Sequence, residues 1–63
     1  MNTTSLTTKM RALAILAHAL GLDVQDLGDK TLGTHRVVGG DHLFTFGGHT
    51  HAVDLVTSTV EDK

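Results

Sequence analysis

The 63-residue sequence contains no cysteine, so no disulfide stabilises it and nothing points to an oxidising compartment. Proline, which would interrupt a strand, is also absent, and the only aromatic residues are two phenylalanines. A chain of this length buries only about 60% of its unfolded surface, which leaves a metal or a partner subunit as a source of further stability. We expect one small domain over residues 1–63, frayed at 1–5 and 58–63.

Strong charge and long apolar runs are missing as well. The formal net charge of −2 excludes a general attraction to nucleic acid or to an anionic membrane. The longest apolar run, residues 12–17, is far shorter than the ~20 residues of a membrane span. Residues 1–8 are polar and threonine-rich, unlike a signal peptide. These absences predict a cytoplasmic protein without membrane contact, and nucleic acid is not the expected partner.

The N-terminal third carries a helical pattern. Its apolar residues recur at alternating steps of four and three: Leu6, Met10, Leu13, Ala17 and Leu20. This spacing predicts an amphipathic helix that begins at a Thr4 or Ser5 cap and ends at Gly21. Residues 22–27 are compatible with one more short helical turn, capped by Asp23 and ended by Gly28.

The apolar surface of this helix is wider than one sheet face covers, which favours self-association. Alternatively, the N-terminal residues or the 22–32 segment fold over it. The candidate partner or self-interface residues are Met10, Leu13, Ile15, Leu16, Ala17 and Leu20.

Beyond Gly33, β-branched and aromatic residues are punctuated by Gly39-Gly40 and Gly47-Gly48, which predicts three strands near 34–38, 42–47 and 50–57. The predicted fold class is α+β: one N-terminal apolar helix, with a possible short helical turn, packed on a three-stranded antiparallel meander. Its first and third strands are expected to be free edges. A two-residue turn at Gly47-Gly48 or at Gly48-His49 places Phe44 and Phe46 on the helix-covered face, and the same parity holds for a turn at Gly39-Gly40 or Gly40-Asp41. A three-residue loop would bury less apolar area, so we prefer the two-residue turns.

The same register brings four histidines to the helix-covered face: His35, His42, His49 and His51. Imidazole is a common zinc ligand, so the candidate metal site uses His49 and His51 with His35, and Zn²⁺ is the expected ion. The alternative is that no cofactor is bound and the histidines line the core, bonding backbone carbonyls or water. In the preferred register Phe46 separates His35 from His51 by about 9.6 Å, which disfavours the metal site.

Residues 16–27 contain Ala17, then Gly21 four positions later, then Leu27 six beyond that. This segment resembles the centre of a lambda-repressor-type helix-turn-helix. The resemblance implies that a first helix packs against a recognition helix whose start contacts DNA bases. Asp23, Gln25 and Asp26 would occupy that start, and acidic residues there oppose phosphate contact.

Catalytic motifs are absent from the sequence: it has no nucleophile elbow and no phosphate-binding glycine loop before a helix. The chain is also too short to enclose a substrate pocket, so we expect no enzyme and no catalytic residues. The remaining class is a non-enzymatic protein-interaction module, such as an inhibitor, adaptor or assembly component, that binds another protein or forms a homo-oligomer. Short cysteine-free chains of this kind are common among bacterial accessory and bacteriophage proteins.

Overall fold

Two helices precede a four-stranded antiparallel sheet in a computed structural model that describes the backbone of residues 3–63 and the side chains of residues 8–63. The elements are α1 (Thr3–Leu20), α2 (Val24–Lys30), β1 (Arg36–Val38), β2 (Asp41–Phe46), β3 (His49–Asp54) and β4 (Thr59–Asp62). The α+β class is confirmed. The prediction of three strands is corrected to four, and the short helical turn is a second helix of seven residues.

Helix α1 begins at Thr3, so the predicted caps Thr4 and Ser5 lie inside it. Residues 1 and 2, part of the segment predicted to fray, lie outside the described residues. The C-terminal end matches the prediction. Gly21 adopts φ 72°, and the Leu22 N–H donates to the Ala17 carbonyl at 2.9 Å, the pattern of a Schellman motif.

Helix α2 begins as predicted, since Asp23 Oδ1 accepts the Gln25 N–H at 3.0 Å. It does not end at Gly28, because it continues to Lys30. A Cβ atom placed on Gly28 would lie 3.4 Å from the Leu13 side chain, at ordinary van der Waals distance, so the approach of α2 to α1 does not require glycine. Gly28 therefore lies inside the helix rather than at its end.

The sheet has the order β1-β2-β3-β4 with every neighbouring pair antiparallel. Val38 pairs with Asp41, and Phe46 pairs with His49, so the two-residue turns lie at Gly39-Gly40 and Gly47-Gly48, one of the two positions that the sequence left open for each turn. This register places the side chains of His42, Phe44, Val53 and their alternate neighbours on the helix-covered face.

The C-terminal segment differs from the sequence prediction. Strand β3 ends at Asp54, whose Oδ1 accepts the Val56 N–H at 2.9 Å and begins a turn through residues 55–58. Residues 59–62, predicted to fray, then pair with β3, with Val60 opposite Val53. The third strand is consequently internal, and the free edges are β1 and β4.

One core lies between the helices and the sheet. Its buried hydrophobic residues are Ala12, Leu13, Leu16, Ala17, Leu27, Phe44 and Val53. Three of the six candidate interface residues, namely Leu13, Leu16 and Ala17, belong to this core, so they are not surface in the folded chain. Ile15 is half-buried, whereas Met10 and Leu20 are exposed.

Candidate functional site

A pair of histidines sits at the β1 end of the helix-covered face. Nε2 of His35 lies 2.8 Å from Nδ1 of His42, and the two rings stack with centroids 5.1 Å apart. His35 also contacts the ring of Phe44, at a centroid distance of 5.0 Å. Because His42 is only 8% exposed, this contact satisfies a ring nitrogen that is removed from water.

The environment of His35 disfavours its charged form. Burial lowers the pKa of His35 below its ordinary value of 6.5, and the nearby His42 and Lys9 lower it further. Desolvation penalises imidazolium, and a neighbouring positive charge adds to that penalty. The contact is therefore best accommodated with a neutral His35, one ring nitrogen of the pair donating a hydrogen and the other accepting it.

A second group of side chains follows on β3 and β4. His51 lies beside Phe46, with ring centroids 5.4 Å apart, and its Nδ1 is 3.9 Å from Asp62 Oδ1. His49 stands at the exposed start of β3, its ring centroid 6.5 Å from that of His51. The Asp62 contact depends on β4 and lay beyond sequence reasoning, which left residues 58–63 outside the sheet.

The predicted metal set of His35, His49 and His51 is not brought together. Among residues 8–63, no group of three histidine or acidic side chains is arranged to hold a metal ion. His35 is bonded to His42, and Phe44 lies opposite His51 and against the ring of His35. The separating ring is thus Phe44 rather than Phe46, because both turns occupy the glycine pairs themselves. His42 is buried and His35 and His51 are half-buried beside the core, whereas His49 is exposed.

The opposite face of the sheet carries a depression of about 440 Å³ that is open to solvent. Its lining residues are Arg36, Val38, Asp41, Leu43, Thr50 and Lys63. Ala52 points to this face yet is buried, because it is short and stands between Leu43 and Glu61 in the neighbouring strands. The depression is a concave protein surface rather than an enclosed substrate pocket.

The two sheet edges have different chemistry. All three residues of β1 are exposed, and Val37 and Val38 are 57% and 55% exposed although both are apolar. Strand β4 instead carries the exposed carboxylates of Glu61 and Asp62. An edge strand presents unpaired backbone groups, so each edge is able to receive another strand.

Neither described helix has the length and apolarity that a membrane crossing requires. Comparisons with protein-family models, with curated proteins and with solved structures find no match to this chain. Functional inference therefore depends on the chain's own geometry.

Proposed function

We propose that this chain is a small non-enzymatic protein-interaction module that associates with copies of itself through its open sheet. The observation that carries the proposal is β1, an edge strand whose two valines are more than half exposed. Apolar side chains on an unpaired edge are stabilised when a further strand covers them. Such an association also buries apolar surface that the core of a single small domain is too small to cover.

The histidines, the open depression and the exposed apolar residues of α1 also agree with an interaction role. The histidines contact one another, phenylalanine rings and Asp62, which is an arrangement explained by packing in a small core. The open depression does not exclude water from a reacting group, as catalysis usually requires. Met10 and Leu20 add exposed apolar surface on α1.

Solution mass tests this proposal. Size-exclusion chromatography with light scattering at several protein concentrations is expected to give a mass above that of one chain, rising with concentration. The mass of a single chain at every concentration would contradict self-association. In that case the exposed β1 valines would be ordinary surface, since isolated exposed apolar residues are common.

DNA binding is the second candidate, because α1 and α2 are joined by only three residues, as in a helix-turn-helix. The exposed residues of α2 include Gln25, Asp26 and Asp29, and two carboxylates facing a phosphate backbone weaken binding. This charge pattern favours the protein-interaction proposal. Salt-sensitive retention of the chain on immobilised duplex DNA would reverse that preference.

A further inference from the structure

The free backbone groups of β1 follow from its pairing with β2. The Thr45 N–H on β2 points toward β1, where Thr34 Oγ1 accepts it at 3.1 Å. Successive residues of an antiparallel strand point their backbone groups to alternate sides. Leu43 therefore bonds toward its partner Arg36, and the N–H and C=O of Val37 point away from the sheet. The outer edge of β1 offers the backbone groups of His35 and Val37.

The free groups of β4 follow in the same way. The Lys63 N–H donates to the Thr50 carbonyl of β3 at 2.8 Å, so Lys63 faces β3. By alternation, Glu61 and Thr59 also face β3. The N–H and C=O groups of Val60 and Asp62 consequently point outward, away from the sheet.

One antiparallel register of β1 against β4 places the outward backbone N–H and C=O groups of the two edges opposite each other. When Val37 lies opposite Val60, both residues offer their outward backbone groups, and both side chains are on the helix-covered face. His35 then lies opposite Asp62, which is the next residue pair with outward backbone groups. Between them Arg36 lies opposite Glu61 as a non-hydrogen-bonded pair, the kind in which side chains approach most closely.

We propose that β4 of one copy adds to β1 of a second copy, head to tail, in this register. The inference rests on the proposed self-association and identifies its partner and its contact. One row of directly paired residues crosses the existing sheet from Arg36 through Leu43 and Ala52 to Glu61. The proposed contact continues this row from one copy into the next. The opposite charges of Arg36 and Glu61 select the β1 and β4 edges for each other.

The symmetric alternatives lack this complementarity. Pairing β1 with β1 of a second copy about Val37 places Arg36 opposite Val38 and gives the guanidinium no charged partner. Pairing β4 with β4 about Glu61 or about Asp62 sets two identical carboxylates directly opposite each other, which is destabilising, and pairing about Val60 leaves Glu61 opposite the uncharged Thr59. A head-to-tail contact leaves a free edge at each end until a ring closes.

Charge reversal distinguishes these arrangements. Arg36→Glu and Glu61→Arg are each expected to weaken association about tenfold per contact, because an attractive cross-strand pair becomes repulsive. The double variant Arg36→Glu/Glu61→Arg restores opposite charges and is expected to associate as the unmodified chain does. A mixture of the two single variants is also expected to assemble, since each supplies the charge that the other needs. Arg11→Glu, an exposed reversal on α1, is the control and leaves the mass unchanged.

Engineered cysteines test the register itself, since the chain has no cysteine of its own. Val38 and Thr59 are directly opposite in the proposed pairing, at a separation that a disulfide spans. Mixed chains carrying Val38→Cys and Thr59→Cys separately are expected to form a disulfide between the two kinds of chain. Val38→Cys mixed with Lys63→Cys, which is out of register by four residues and leaves Arg36 and Glu61 in place, is the control and is expected to cross-link much less.

The outcomes separate the two proposals. A monomeric unmodified chain would overturn both the self-association and this contact. An oligomer that is indifferent to both charge reversals and cross-links equally in both cysteine mixtures would overturn only the β4-to-β1 contact. Weakening by Arg36→Glu without rescue in the double variant would likewise overturn it, because that result fits β1 pairing with β1.

Discussion

Nε2 of His35 lies 2.8 Å from Nδ1 of His42, so one imidazole donates its N–H to the other and a single hydrogen lies between the two nitrogens. Protonating both rings would place two N–H groups against each other at this contact. The stacked pair is therefore compatible with at most one positive charge, and burial disfavours even that one.

Acidification is expected to destabilise the fold. The pKa of His35 is lowered in the folded chain, first by burial and then by His42 and Lys9, so the unfolded chain binds the proton more readily. Its contribution to stability is fully present above the unfolded value of 6.5 and decreases as pH falls below it. We expect a lower Tm at pH 5 than at pH 7.5, measured by circular dichroism.

A matched pair of variants assigns this effect. His35→Gln removes the titrating group and is expected to reduce the difference in Tm between the two pH values. His18→Gln, on the exposed side of α1, is the control and should retain the full difference. Equal Tm values at pH 7.5 and pH 5 in the unmodified chain would contradict the role of the pair.

Leu16 is fully buried in the core, so Leu16→Ala is expected to lower the free energy of unfolding by about 2–5 kcal/mol. A domain of this size has a total stability of roughly 3–9 kcal/mol, so the variant is expected to lose about half of it. Val56→Ala is the control, because Val56 is 94% exposed and its truncation removes little contact. Urea denaturation measures both, and similar midpoints would place Leu16 outside the core.

Two glycines are expected to respond to alanine with opposite signs. Gly21 has φ 72° at the end of α1, so Gly21→Ala should destabilise the chain by ~1 kcal/mol. Gly28 lies inside α2, where an added Cβ would meet Leu13 at van der Waals distance, so Gly28→Ala should stabilise it by about 0.5–1 kcal/mol. Thermal unfolding of the two variants checks the signs, and a destabilising Gly28→Ala would mean that Leu13 cannot yield.

The assignment of β4 as a strand is tested by polar substitutions at two neighbouring residues, Val60 and Thr59. Val60 packs against the core, so Val60→Asn should lower the free energy of unfolding by roughly 1–3 kcal/mol. Thr59 is exposed, and Thr59→Asn, which adds no charge opposite Asp54, should have little effect. Urea denaturation distinguishes the strand from a frayed tail, because a frayed tail would tolerate both substitutions equally.

Local chemistry made much of the fold predictable. Helix α1, its end at Gly21, the Asp23 cap and the two-residue length of both turns depend on residues close together in sequence, and the structure has each of them. The predicted apolar stripe is only partly buried, since Leu13 and Ala17 lie in the core while Met10 and Leu20 are exposed. The turns also set the register, because a two-residue connection determines which side chains share a face.

The missed features depend on distant partners. Helix α2 extends through Gly28 although glycine has a low helix propensity, and Leu27 beside it is fully buried in the core. Residues 59–62 offer a single core-facing apolar side chain, too weak a pattern to indicate a strand, and they pair only because the edge of β3 is available. The candidate zinc ligands His35, His49 and His51 are not brought together, because the alternation of side chains along a strand gives the face of each residue but not its distance from the others.

The sequence by itself determined α1 and its end at Gly21, the Asp23 cap of α2, the length of the two turns and the face on which the residues of β1 to β3 lie, because these follow from backbone preferences and from the two-residue period of a strand. Only the tertiary structure decided that β3 is internal, that His35 bonds to His42, and that Arg36 and Glu61 lie at opposite edges of one row. Those relationships join residues far apart in the chain, and their free energy arises from packing and pairing that exist only once the sheet has formed.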